Sequence, residues 1–367
     1  MMAAEVIRTV SIISGIGVFL ATLLTLAERY LLNYGICKIT INDEKELEVK
    51  GGNHLLSSLL QNDIFIPSAC GGRGSCGLCK VKVLSGGGPL LPTETPYLSR
   101  EEQEGQIRLS CQVKVRGDVA IEIPEELFSI REYTTTVEKI VDLNHDTKTL
   151  FLRFKDGEEL DFQAGQYVQI KAPQYGKNSE EVYRAYSIAS PPSDKGVIQL
   201  IIRRVPQGIC TTYIFDYLKE GDQLDLNGPY GDFFLRDSDR EMICIAGGSG
   251  LAPIKAILHK MEEEGIRRKA TFYFGCVEKR DLYYIDEMQA FESRIPDFRF
   301  IPALSGAREE DNWTGETGLI TEVVDRYVED GSRMEAYLCG SPGMIDACIK
   351  VLLQKGMPED QIFFDKF

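Results

Sequence analysis

Positive charge is scarce in this sequence: 41 Lys and Arg stand against 56 Asp and Glu, a formal net charge of −15. No basic stripe breaks the acidic surplus, which excludes nucleic acid as an expected partner, since phosphate backbones are held by clustered Lys and Arg. Histidine is rarer still. His54, His145 and His259 are isolated from one another along the chain and are read as surface or structural residues, so no acid–base triad is expected. Internal repeats and low-complexity tracts are also missing. Disorder is excluded by a hydrophobic fraction of 43% with 16 Tyr and 17 Phe. A chain of 367 residues calls for two or three domains, at roughly 100 to 200 residues each. It is too long for a disulfide scaffold. Of its ten cysteines, four are grouped like ligands, which points to a reducing compartment.

The 19 residues from Thr9 to Ala27 carry no charge. As a helix rising about 1.5 Å per residue they would reach roughly 28 Å, the thickness of a bilayer core. A retained single-pass anchor is therefore expected. A secretory signal peptide is the competing reading, but only Arg8 precedes the run where a basic region is wanted. A buried helix is the other.

From Cys37 to Val49 apolar and polar residues alternate on both sides of Asn42-Asp43-Glu44-Lys45, as in a β-hairpin. A short helix at Asn53–Leu60, a Gly-rich cysteine segment and a strand from Ile107 to Val115 complete one small α+β unit. Between Thr134 and Leu235 six β-rich runs, with one helix near Thr211 to Leu218, suggest an antiparallel barrel. From Glu241 strands alternate with helices, which implies a parallel sheet covered on both faces. The expected domains are an anchor (1–32), an α+β ferredoxin-like domain (33–130), an antiparallel β-barrel (131–236) and an α/β parallel-sheet domain (237–367).

The strongest chemical signal is Cys70-x5-Cys76-x2-Cys79, followed by Cys111. Four thiolates are what a [2Fe–2S] cluster requires, and Gly71, Gly72, Gly74 and Gly77 let the loop wrap closely around it. Zinc ribbons pair two short knuckles, and Cys111 has no near partner. Arg184-Ala-Tyr186-Ser187 begins a barrel strand, where an arginine fork suits a pyrophosphate. Gly208-Ile-Cys210-Thr211 begins a helix whose free N–H groups suit a second phosphate. At Gly247-Gly248-Ser249-Gly250-Leu-Ala-Pro253 a strand turns through glycines into a helix, a nucleotide-binding geometry without the G-x-G-x-x-G fingerprint; a purely structural turn is the alternative. Cys339-Gly340 ends a later strand at the ligand-binding edge of an α/β sheet, although a small buried residue is the commoner fate of a free cysteine.

In this order, CGGRGSCGLC, RAYS, GGSGLAP, EDNWTGETG, CGSP and a terminal FFDKF, the chain resembles the F subunits of sodium-translocating NADH:quinone reductases over nearly its whole length. The resemblance implies a membrane-anchored NADH dehydrogenase subunit that passes electrons from NADH through FAD and the cluster to other membrane subunits. The setting is the inner membrane of a prokaryote, with the catalytic domains cytoplasmic. It assigns Arg184 to the FAD pyrophosphate, Tyr186 to the isoalloxazine, Ser187 to the vicinity of N5, and Gly208, Cys210 and Thr211 to the second phosphate grip. Phe367 would cover the other ring face. Gly248, Gly250, Pro253, Cys339 and Gly340 would line the NADH site. After the second strand of that domain, Glu278 is expected to accept the ribose 2′-hydroxyl and repel a 2′-phosphate, with Lys279 and Arg280 pulling the other way. The alternative is a membrane-tethered reductase that feeds an oxygenase or another redox enzyme, and a third reading is a redox-sensing or assembly module without turnover. The segment Pro173 to Tyr183 is shorter than its counterpart in the resembled family, and the terminus lacks that family's final glycines.

Overall fold

The computed structural model describes residues 2–31 and 34–366. The chain divides into two compact units: Met1–Ile66 with Gly72–Ser129, and Pro67–Gly71 with Ile130–Phe367.

The first unit opens with helix α1 (Met2–Leu31). Its described side chains, at 10–23 and 25, are exposed, with Ile13, Val18 and Phe19 at 64%, 68% and 66%. Among the described residues no helix is long and apolar enough to cross a membrane. The hairpin expected from alternation is present as β1 (Ile36–Ile41) and β2 (Lys45–Lys50). Asn42 and Asp43 turn it with φ of 53° and 57°, the twist that joins antiparallel strands tightly. There follow α2 (Leu55–Leu60), β3 (Lys80–Ser85), α3 (Arg100–Glu104), β4 (Ile107–Leu109) and β5 (Val119–Glu122). The sheet order is β2-β1-β5-β3-β4, with only β1 and β5 parallel.

One expectation fails here: the strand read from Ile107 to Val115 stops at Leu109. The Ser110 amide turns to the Cys79 carbonyl at 2.8 Å and the Gln112 amide folds back on the Leu109 carbonyl at 2.8 Å, so Cys111 leaves the sheet. Below it lies a fully buried carboxylate, Glu94. Its Oε2 meets Arg108 Nη2 at 2.6 Å, and its two oxygens accept the Leu91 and Leu109 amides at 2.9 Å each. Burial by itself would raise the Glu94 pKa, but the Arg108 fork and the two amides outweigh it and hold the acid below its ordinary value. This pair fixes β4, and through it the turn that carries Cys111.

The second unit begins with strands β6 (Arg131–Asp142), β7 (Thr147–Phe154), β8 (Tyr167–Ala172), β9 (Val182–Ser187) and β10 (Val197–Arg203), then helix α4 (Ile209–Asp216) and β11 (Gln223–Tyr230). All neighbours in the order β10-β7-β6-β11-β8-β9 are antiparallel. A bridge from Ile188 to Leu200 draws the two edges together, so the inward residues Val168, Ile170, Leu150, Leu152 and Leu200 enclose a dry core. Helix α4 starts two residues before the expected position.

The remaining elements are β12 (Glu241–Gly247), α5 (Leu251–Glu263), β13 (Ala270–Cys276), α6 (Ile285–Arg294), β14 (Phe298–Leu304), β15 (Glu316–Thr317), α7 (Ile320–Tyr327), β16 (Met334–Gly340), α8 (Pro342–Gln354) and β17 (Ile362–Lys366). They form a parallel sheet, β15-β14-β13-β12-β16-β17. Met242 to Ala246 are buried without alternation, as expected of a central strand covered on both faces. The strand order reverses between β12 and β16, and ligands of open α/β sheets bind at the carboxyl ends beside such a reversal.

Barrel and parallel sheet are joined through polar groups. Lys255 of α5, nearly buried, places Nζ 2.7 Å from Gln199 Oε1 of β10 and 3.1 Å from Glu287 Oε1 of α6. The Gln199 amide donates to the Tyr284 hydroxyl at 2.8 Å, which also meets Thr149 of β7 at 2.9 Å. Desolvation lowers the Lys255 pKa while Glu287 supports the charge.

Arg108→Leu would leave the Glu94 carboxylate buried without its partner, a loss of about 3–5 kcal/mol. Differential scanning calorimetry should show the transition of the first unit lowered and that of the second unchanged. An unaltered first transition would show that the pair contributes nothing.

Candidate functional site

Three of the four expected cluster cysteines belong to the first unit, whereas Cys70 sits in the Pro67–Gly71 segment that counts with the second. Cys79 and Cys111 are buried at 1% and 2%, while Cys70 and Cys76 are partly open. The Cys79 thiol lies within hydrogen-bonding reach of Cys111, and this contact, together with burial, pushes its pKa well up. Among the described residues no group of three Cys, His, Asp or Glu side chains is gathered closely enough to hold a metal ion. The backbone nevertheless suits a wrapped cluster. Gly71, Gly72, Gly74 and Gly77 all have positive φ, between 63° and 83°, a conformation that residues with a Cβ rarely adopt. Beside them the Gln112 amide, whose oxygen accepts from Thr93 at 2.9 Å, donates to the Cys111 sulfur at 3.6 Å.

Arg184, Tyr186 and Ser187 lie on β9, paired in register with Ile170, Val168 and Tyr167 of β8. Positions 184 and 186 share a face by the two-residue period of a strand. The Arg184 guanidinium bonds the Tyr183 carbonyl at 2.7 Å and, among the described residues, forms no ion pair, so its charge is available to an anion. Tyr186 shares a hydrogen bond with Cys210 on α4, and burial pushes that thiol up to about 11. Thr211 is committed to its own loop: its hydroxyl donates to the Val205 carbonyl at 3.1 Å and accepts the Val205 amide at 3.2 Å. A Cβ at Gly208 would stand 2.6 Å from that hydroxyl, which explains the glycine there. The shortened segment before β9 closes on itself through a Tyr175–Asn178 bridge. Its Tyr175 packs against Tyr213 and Tyr217 and donates to the Ile209 carbonyl at the start of α4.

Gly247 ends β12 with Gly248 and Gly250 just beyond it, and Cys339 and Gly340 end β16, so both motifs stand at the strand-order reversal. A Cβ at Gly250 would fall 2.1 Å from the Cys339 carbonyl oxygen; only glycine lets α5 start so close to β16. Pro253 stands in the first turn of α5. Cys339 is wholly buried, and burial raises its thiol pKa while a hydrogen bond from Ser187 opposes the rise. Two residues 152 positions apart, Ser187 of the barrel and Cys339 of the parallel sheet, thus meet. Glu278 lies beyond the end of β13 in a cluster of arginines. Phe367 lies outside the described residues.

Three residues of this site escaped the sequence reading. Asp365, opposite Cys339 in the β16–β17 register, has its carboxyl pushed up to about 6 by burial. A lone acid just after the apolar Ile362-Phe363-Phe364 was its available signal. Arg203 closes β10 with its guanidinium beside Gly248, 3.4 Å from where a Cβ would stand, and pairs with Asp146 at 2.7 Å. Tyr283, buried, donates to the Gly248 carbonyl at 2.6 Å and steadies the glycine turn. No pattern in the sequence marks either of the last two.

Comparison with known proteins matches three domain families along the chain. Residues 39–116 match the 2Fe-2S iron-sulfur cluster binding domain, 134–235 the oxidoreductase FAD-binding domain and 244–350 the oxidoreductase NAD-binding domain. The chain accordingly carries domains for a [2Fe–2S] cluster, FAD and NADH. It is 37% identical to the F subunit of the Na(+)-translocating NADH-quinone reductase of Neisseria gonorrhoeae, over 99% of both chains. The corresponding F subunit of Actinobacillus succinogenes is 36% identical over 97% of this chain and 98% of its own. Among solved structures, a cytochrome P450 reductase from Amycolatopsis superimposes with TM-score 0.72 at 30% identity, covering 90% of this chain and 98% of its own. The ferredoxin reductase in carbazole 1,9a-dioxygenase does so with TM-score 0.70 at 30% identity, covering 91% and 98%.

Hydrogen bonds to ligand sulfur stabilise the more negative, reduced form of a cluster. Gln112→Leu should therefore lower the cluster's reduction potential in a titration followed by electron paramagnetic resonance; an unchanged midpoint would remove Gln112 from the account. For Asp365 the raised pKa means that the folded chain holds a proton which the unfolded chain releases near pH 4. Its contribution to stability falls as pH rises from about 4 through about 6. Asp365→Asn should accordingly gain thermal stability over the native protein progressively across that window, and parallel melting profiles would refute the shift.

Proposed function

Because the chain belongs to the family of the F subunits of Na(+)-translocating NADH-quinone reductases, we propose that it oxidises NADH and delivers the electrons singly to membrane subunits of a redox complex. The chemistry that bound FAD supplies is the conversion between the two-electron hydride of NADH and one-electron transfer to the [2Fe–2S] cluster. The protein supplies position. The meeting of Ser187 and Cys339 at the strand-order reversal is the observation that carries the reading, since it brings the flavin motif of the barrel and the nucleotide motif of the sheet to one point.

Arg184 would hold the FAD pyrophosphate, and Tyr186, held by Cys210, would pack on the isoalloxazine. Gly208 opens the first turn of α4, so its free N–H groups face the phosphates; the Thr211 hydroxyl shapes that turn. Gly248, Gly250 and Pro253 present the start of α5 to the NADH pyrophosphate, with Arg203 alongside. Cys339 and Gly340 bound the nicotinamide pocket, and Glu278 borders the adenosine ribose. Cys70, Cys76, Cys79 and Cys111 hold the cluster.

Helix α1 serves as the membrane anchor in this reading, with the catalytic domains cytoplasmic, where NADH is. Its exposed apolar side chains support that role, as do the Thr22 and Thr25 hydroxyls, which bond carbonyls four residues earlier at 2.8 and 2.6 Å and so need no water. The similarity to reductases that serve a P450 and a dioxygenase favours a second reading, in which the acceptor is an oxygenase.

Stopped-flow mixing of the purified protein with NADH should bleach the flavin and then the cluster. Cys76→Ser should retain the flavin phase and lose the cluster signal, and removal of residues 1–30 should retain both phases but lose quinone reduction by membranes. Loss of the flavin phase in Cys76→Ser would overturn the proposed order. Retained quinone reduction after truncation would overturn the anchor.

A further inference from the structure

Glu278 does not stand free to meet a ribose. Its Oε2 is 2.7 Å from Arg280 Nε and its Oε1 is 2.7 Å from Arg308 Nη2. Arg280 follows β13 and Arg308 follows β14, and the loops after these neighbouring strands are tied together by the Ser305 and Gly306 amides, which donate to the Cys276 and Val277 carbonyls at 3.0 and 2.7 Å. The Glu278 amide is fixed by Asp281 Oδ2 at 2.8 Å, so the carboxylate is held where both guanidiniums reach it. Arg308 commits its other terminal nitrogen, at 3.3 Å, to Glu310, and Lys279 donates to the Asp311 carbonyl at 2.6 Å. Two guanidiniums therefore share one carboxylate beyond the carboxyl end of β13. In a dinucleotide-binding sheet that edge faces the 2′ position of the adenosine ribose, where an acid selects NAD and an arginine accepts the 2′-phosphate of NADP.

We propose that Glu278 is an internal stand-in for a 2′-phosphate: it fills an arginine fork made by Arg280 and Arg308 and thereby excludes NADPH from a site whose cations would otherwise take it. A guanidinium binds carboxylate and phosphate oxygens with the same paired N–H groups, so whatever empties the fork of one anion opens it to the other. The carboxylate also adds a fixed negative charge against any incoming phosphate. The inference rests on the reading above, that Glu278 borders the adenosine ribose, and gives that reading its specificity.

The test uses the full-length, FAD-loaded protein and isothermal titration calorimetry with 5′-AMP and 2′,5′-ADP, in the native protein, Glu278→Ser and the double variant Glu278→Ser/Arg308→Ala. In Glu278→Ser the affinity for 2′,5′-ADP relative to 5′-AMP should rise by about tenfold or more, the effect of one charge-assisted contact, and kcat/KM for NADPH relative to NADH should rise with it. In the double variant the gain should disappear. Glu278→Gln, which keeps the shape and removes the charge, should shift in the same direction as Glu278→Ser. Weaker 5′-AMP binding in Glu278→Ser with no gain for 2′,5′-ADP would overturn the fork and leave the ribose contact standing. Unchanged binding of both nucleotides would overturn the placement of Glu278 as well. A gain that survives in the double variant would overturn the role of Arg308.

Discussion

The site depends on a backbone approach. Helix α5 begins so close to the end of β16 that the space for a side chain at Gly250 is taken by the Cys339 carbonyl oxygen, 2.1 Å from where a Cβ would lie. That approach sets the first turn of α5 beside the carboxyl edges of β12 and β16, and it buries Cys339 where Ser187 reaches it. Gly340, at φ 152°, then turns the chain out of β16, and a Cβ there would meet Met344 of α8 at 2.7 Å. Close packing at this one junction exposes helix-terminal N–H groups at the very edge where the sheet offers its crevice.

Buried polar groups hold the remaining geometry. In the first unit the Glu94 carboxylate collects Arg108 and two amides beneath the turn of Cys111. In the second, Lys255 reaches across from α5 to Gln199 of the barrel and Glu287 of α6. Each arrangement satisfies groups that would be costly to leave unpaired in a dry setting, and each ties together segments distant in sequence. Orientation of the chemical groups thus comes from networks whose members the chemistry itself does not consume.

The segment from Pro173 to Tyr183 shows how a short connection can serve the same end. Tyr175 packs on Tyr213 and Tyr217 and caps a carbonyl of α4, so the helix end that the reading assigns to a phosphate is braced by the loop before β9. Nothing in the spacing of the motifs foretold this, because the contact joins residues more than thirty positions apart.

Local chemistry was legible in the sequence. Alternation gave the β1–β2 hairpin and the six barrel strands, the change of rhythm at Glu241 gave the parallel sheet, and the glycines among the four spaced cysteines gave a loop of positive-φ turns. These features are encoded by near neighbours through the fixed periods of strands and helices and the freedom of glycine. The strand expected through Val115 ended at Leu109 because a distant carbonyl, that of Cys79, captured the Ser110 amide. The same kind of long-range event decided the rest. Asp365 stands beside Cys339 because β17 joins β16, Arg203 lies against Gly248 where the barrel meets the sheet, and Glu278 is enclosed by Arg280 and Arg308 because two loops after neighbouring strands are stitched together. The sequence by itself determined which chemical groups the protein carries and on which elements they ride. Only the tertiary structure decided which of them meet, since the burial, charge pairing and backbone approach that bring them together are set by strand order and packing between residues far apart along the chain.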